Sequence, residues 1–213
     1  MRELKKLLVL AIWAFLGYSS AVFAEEATKT ANNEGKQNIT NYSSFLDLAK
    51  ARYSVRSYAK KEVEKEKLDL ILEAGRVAPT ARNSQPQHIY VVKSEAGINK
   101  LKKVLRTTFD APILLVFCYD DKIVYKKPEE NNYSTGEMDT SIVCTHMMLE
   151  AAEQGLGTCW LRGFIATDVE KALELPENMK VVCILTLGYP SEDSKPSPMH
   201  ESRKPIAETV SEL

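Results

Sequence analysis

The chain has 213 residues, 44% of them hydrophobic and 27% charged, which suits one globular domain with a sizeable core. Its net charge is −1 and its Lys and Arg are scattered. No basic face is left to attract nucleic acid, so that class of partner drops out. At the N-terminus, basic "MRELKK", apolar "LLVLAIWAFLGY" and small-residue "AVFA" form a secretory signal, residues 1–24, cut after Ala24. The apolar run is too short to span a bilayer comfortably, so an exported, periplasmic or secreted protein without a stable membrane span is expected. Residues 25–42 are polar and aperiodic and read as a flexible linker; residues 43–213 form the domain.

In the domain, "SSFLDLAKARYS" sets Phe45, Leu46, Leu48 and Ala49 on one side of a short helix, with Ser43 or Ser44 as N-cap. "VEKEKLDLILEAGRVA" repeats Leu68, Ile71, Leu72 and Gly75 at helical spacing, and Pro79 closes it. Ten residues, "APTARNSQPQ", then separate this helix from the strand "HIYVVK", where about four to six would suffice. Either this is a slack surface loop or its side chains hold something. A helix "EAGINKLKKVL" and a strand "PILLVFCY" follow. "DDKIVYKKPEENNYSTGEM" has no period; it is a lid or a plain connection, and both readings stand.

The helix "DTSIVCTHMMLEAAEQ" is poor enough in charge to need cover nearly all round. "TCWLRGF", a capped helix "ATDVEKALEL" and a strand "VVCILTLGYP" complete the body; in the tail, "KPIAETV" reads as a terminal strand. Helices and strands mix without a βαβ rhythm, which favours α+β. GxGxxG and GxxxxGKS are absent, so a nucleotide fold has no direct support.

Cys118, Cys144, Cys159 and Cys183 lie in apolar strand or helix patterns and read as small core hydrophobes. Cys144 and His146 are two apart on a helix and point to different faces, which is poor metal geometry. His88, His146 and His200 lack a GxSxG-type context, so a hydrolytic triad is hard to build. "RYSVRSY" places Arg52, Ser54 and Arg56 at alternate positions; if extended, two guanidinium forks and a hydroxyl share one face. That set suits a phosphate, or is a solvated basic edge.

The order "ARYSVRSY", "APTARNSQPQ", "DTSIVCTHMMLEAAEQGLGTCWLRGF", "LGYPSED" and "ESRKPIAETV" resembles the FMN-dependent nitroreductase family over roughly Phe45 to Val210. The resemblance implies an α+β fold: a central, mostly antiparallel sheet flanked by helices, in an intertwined homodimer with C-terminal strand exchange and FMN in the subunit interface. By position, Arg52, Tyr53, Ser54 and Arg203 would surround the FMN phosphate and ribityl chain, and Arg56 would reach the pyrimidine edge. Pro79, Thr80, Asn83 and Gln85 would approach from the other chain. Leu161, Arg162 and Gly163 would lie along the flavin face. The implied activity is hydride transfer from NAD(P)H through flavin to a nitroaromatic, quinone or similar small-molecule acceptor by a ping-pong mechanism. Alternatives are another reaction of the fold, such as deiodination or dehydrogenation, and an exported flavin-binding dimer without turnover. Three positions depart from the family pattern: Gln87 replaces an aromatic, Glu201 replaces a Lys, and Arg162 stands where a small or acidic residue is common.

Overall fold

The computed structural model describes residues 42–213. The expected signal peptide and nearly all of the linker lie outside the described residues. Helix α1 (Phe45–Ala51) starts at Ser44, whose side chain accepts from the Asp47 N–H at 3.2 Å. This settles the choice between two candidate caps and ties one of the free amides of the first turn. The apolar side of α1 is only partly covered within the chain: Leu48 and Ala49 are half-buried, whereas Phe45 is 70% and Leu46 59% exposed.

Helix α2 (Lys65–Arg76) buries Leu68, Ile71 and Gly75, the expected stripe, and ends before Pro79. Strand β1 (Gln87–Val92), helix α3 (Glu95–Lys102) and strand β2 (Ile113–Asp120) follow as the periodicity requires. The aperiodic stretch contains a small hairpin, β3 (Lys126–Lys127) with β4 (Tyr133–Ser134), which the sequence does not announce. Helix α4 (Gly136–Glu153) starts three residues before Asp139, the start expected from the apolar run. Strand β5 (Gly157–Leu161), helix α5 (Ala166–Ala172) and strand β6 (Met179–Gly188) complete the body. Helix α5 lacks the expected side-chain cap, because Ile165 occupies that position.

The main sheet has the order β1-β2-β6-β5, and every pairing is antiparallel. Helices cover both faces, so β2 is a continuous apolar run where a one-sided sheet would alternate. Ile113, Leu115 and Phe117 pack with Ile71, Val143 and Met147 of α2 and α4. Leu114, Val116 and Cys118 pack with Leu101 and Val169 of α3 and α5. The β2–β6 register shifts between Phe117 and Cys118, skipping Val182. This bulge lets Val182 and Cys183 both join the α2–α4 side. All four cysteines are free thiols and buried, as their contexts require.

Two expectations are not met within a single chain. "KPIAETV" is not a strand within the chain: it holds a single 3-10 turn at Ile206–Glu208, and residues 201–213 are all exposed. The β5 edge that could have received it is already bridged by Ser54. Helix α4 is not covered all round either: Val143, Cys144 and Met147 are buried, whereas Met138 and His146 are exposed.

Candidate functional site

"RYSVRSY" leaves α1 extended and lies beside β5. Ser54 forms a parallel bridge with Thr158, and the Val55 N–H donates to the Thr158 carbonyl at 2.8 Å. Gly157 permits this approach, since a Cβ there would come within 2.5 Å of Val55 Cγ2. Val55 turns into the core at 1% exposed. Its neighbours turn the other way, toward Cys159. Burial pushes the Cys159 thiol up, while the Arg56 guanidinium, a hydrogen bond with Ser54 and the Arg52 guanidinium pull it back down. The alternation read from sequence therefore holds, and Arg52, Ser54 and Arg56 share one face. Behind them, Thr186 Oγ1 accepts from the Cys159 N–H at 2.8 Å and meets the Tyr58 hydroxyl at 2.5 Å; that hydroxyl also donates to the Val55 carbonyl at 3.1 Å.

Arg203, in the tail, comes close to Arg52. Its guanidinium donates to the carbonyls of His200 and Ser202 at 2.5 and 2.7 Å. His200 in turn bonds the Lys50 carbonyl at 3.1 Å and sits edge-on to Tyr53, 6.2 Å between ring centroids. Arg52 is held below the usual arginine range by burial and by the repulsion of Arg203. Among the described residues no carboxylate pairs with Arg52, Arg56 or Arg203. Arginines that repel each other around a hydroxyl, without a protein anion, fit a bound phosphate.

Leu161, Arg162 and Gly163 lie where β5 ends. A Cβ on Gly163 would meet nothing within 4 Å, so open space faces the backbone. The Arg162 guanidinium is exposed and folds back on Phe164, 5.5 Å from the ring centroid.

Pro79, Thr80, Asn83 and Gln85 are elsewhere. Their loop leads into β1, and β1 is separated from β5 by two intervening strands. Three strand spacings amount to roughly 14 Å, so one chain does not bring the two sets together across the sheet. Within the loop, Thr80 Oγ1 accepts the Gln85 N–H at 3.0 Å, and Gln85 Nε2 donates to the Asn83 carbonyl at 3.3 Å. Arg82, Asn83 and Gln85 all adopt positive φ, 52°, 53° and 48°. Three buried oxygens here, on Ser84, Gln87 and Thr140, lack a hydrogen-bond partner among the described residues. Buried polar atoms normally find one, so this corner has spare capacity.

Sequence reading missed two residues here. Asp139, 2% exposed, accepts the Ala81 N–H at 2.9 Å, and Tyr125 stacks under Arg82. Neither left a local signal, because both act across the fold on a distant loop.

The pattern of the nitroreductase family matches residues 49–110 and 105–189, which together cover well over half of the sequence. The chain belongs to the nitroreductase family. A nitroreductase family protein from Clostridium difficile 630 has a crystal structure that superimposes with TM-score 0.74. It is 40% identical, over 79% of this chain and 97% of that one. A protein of Archaeoglobus fulgidus whose name joins NADH dehydrogenase and NAD(P)H nitroreductase is 31% identical over 70% of this chain and 86% of that one. An FMN reductase [NAD(P)H] of Bacillus subtilis is 28% identical over 68% of this chain and 65% of that one. Two of the segments that carry the resemblance, "ARYSVRSY" and the "GTCWLRGF" part of a second, fall within the matched residues and meet at the Ser54–Thr158 bridge.

Proposed function

We propose that this nitroreductase is an FMN-dependent oxidoreductase that uses NAD(P)H to reduce a nitroaromatic, quinone or similar acceptor. The observation that carries the reading is that Arg52, grouped with Ser54 and Arg56 about Cys159, is also repelled by Arg203 from the opposite end of the domain, with no protein counter-anion among the described residues. FMN, when bound, supplies the two-electron chemistry that no side chain of this face supplies. Arg52, Ser54 and Arg203 hold the phosphate end, with Tyr53 packed beside them through His200. Arg56 offers a fixed positive charge to the pyrimidine edge, where negative charge would accumulate on reduction. Leu161 and Gly163 border the open face, and Arg162 is free to swing from Phe164 toward an acceptor.

The site is completed by a second copy of the chain. The exposed Phe45 and Leu46 of α1, the half-covered α4 and the separation of Pro79–Gln85 from Arg52 all support a homodimer in which that loop serves the neighbour's cofactor. The outer edge of β1 is unpaired among the described residues. That open edge, together with a tail that exposes Ile206, Val210 and Leu213, supports C-terminal strand exchange. Export, supported by the first 24 residues alone, places the protein where nicotinamide is scarce; N-terminal sequencing of the mature protein tests the cut after Ala24.

The absorbance spectrum of the purified protein tests the function. A yellow protein that bleaches with NADH or NADPH and recolours with a nitroaromatic is expected, with ping-pong kinetics because both substrates use one open face. A protein that stays colourless after FMN is offered overturns the reading; one that holds flavin without bleaching is a flavin-binding dimer instead.

A further inference from the structure

The Thr80–Gln85 backbone is held in an unfavourable shape. Arg82, Asn83 and Gln85 are left-handed without being glycine, and such geometry persists only where surrounding structure enforces it. Two tertiary restraints do so. The Ala81 N–H donates to Asp139 Oδ1 at 2.9 Å, and the Arg82 guanidinium lies 4.4 Å from the centroid of the Tyr125 ring. Both restraints lead to the same neighbouring segment. Asp139 Oδ2 accepts the Thr135 hydroxyl at 2.7 Å, and the Thr135 N–H donates to the Tyr125 carbonyl at 3.1 Å. Thus the 125–135 hairpin, the first turn of α4 and the loop form one closed circuit of contacts. Asp139 is buried, has no cation partner among the described residues, and is compensated by one amide and one hydroxyl. Removing this acceptor leaves two half-buried donors, the Ala81 N–H and the Thr135 hydroxyl, without it and frees the loop from α4.

We propose that Asp139 and Tyr125 are positioning residues that hold the Thr80–Gln85 loop in its cofactor-facing shape, so that the 125–135 hairpin and this loop move as one unit. The hairpin is then neither a free lid nor an idle connection: whatever shifts it also shifts the loop. The link to flavin affinity rests on the function proposed above; the mechanical link does not.

The test uses full-length protein with Asp139→Ala, Asp139→Asn, Tyr125→Ala and Tyr125→Phe. Backbone hydrogen exchange over residues 80–85 is measured without flavin, together with thermal unfolding and FMN affinity by flavin fluorescence. Asp139→Ala should speed exchange of that segment roughly tenfold or more and weaken FMN binding by about the same factor. Asp139→Asn should stay within about threefold of wild type, since its Oδ1 still accepts from Ala81 and its amide can donate to Thr135. Tyr125→Ala should loosen the loop and Tyr125→Phe should not, because the stack needs the ring alone. If Asp139→Ala does not fold, the Tyr125 pair carries the decision. Unchanged loop exchange in Asp139→Ala, or in Tyr125→Ala, overturns the mechanical link. A loosened loop with wild-type FMN affinity overturns its role in cofactor binding. A wild-type protein that binds no FMN overturns the proposed function, and leaves the exchange data to judge the link.

Discussion

Arg52 shows how a single side chain can be poor for stability and good for function. It is half-buried, lacks a carboxylate partner among the described residues and is repelled by Arg203, so the folded state disfavours its charge. Arg52→Ala should leave the unfolding midpoint unchanged or slightly raised. The same substitution should weaken FMN binding by about 1.5–3 kcal/mol, the worth of a charge-assisted hydrogen bond. Thermal melts beside flavin titration would check both signs at once; a large loss of stability with intact flavin binding would assign Arg52 to the fold alone. The alternation of Arg52, Ser54 and Arg56 was legible in "RYSVRSY", because period two is a local property of an extended chain. Arg203 as their neighbour was not legible from spacing, since it is about 150 residues away; only the family resemblance named it.

At the scale of elements, the extended segment Arg52–Tyr58 owes its place to β5. Gly157→Ala would drive a methyl into Val55, which is buried and backed by core. Overpacking there should destabilise the domain by about 1–3 kcal/mol and displace Ser54 from its bridge, so flavin affinity should fall as well. Denaturant unfolding and flavin titration of that variant would show whether the two losses travel together. The helices and strands themselves followed from periodicity: α2, α3, β1, β2 and β6 lie where the apolar patterns put them. The β3–β4 hairpin did not, since two-residue strands are too short to leave a period. The start of α4 was missed by three residues because its first turn, Gly136–Met138, carries no apolar repeat.

For the whole molecule, the tail and the loop predict different things about a dimer. Residues 204–213 touch no buried core within the chain, so deleting them should change the unfolding free energy of a protomer by no more than about 0.5 kcal/mol. Sedimentation of the truncated protein should nevertheless shift toward monomer; an intact dimer would rule out strand exchange as the holding contact. Mixing chains gives a sharper check. In a heterodimer of one Arg52→Ala chain with one Asp139→Ala chain, loop and arginines serving the same cofactor from different chains place both defects in one site. The other site is then intact, and one FMN per dimer should bind with wild-type affinity. Two weakened sites would show that each chain's loop serves its own cofactor.

What the amino-acid sequence determined unaided is the local part: the α+β class, most helices and strands, the apolar character of the four cysteines, and the one-sided display of Arg52, Ser54 and Arg56. These depend on neighbours within a few residues, where backbone periodicity speaks directly. The tertiary structure decided the approach of Arg203 to Arg52, the anchoring of Ala81 by Asp139 and of Arg82 by Tyr125, and the distance between the loop and the arginine face. Those contacts join residues tens to about 150 positions apart, and chain closure over such spans is governed by packing of the whole sheet, which no local pattern encodes.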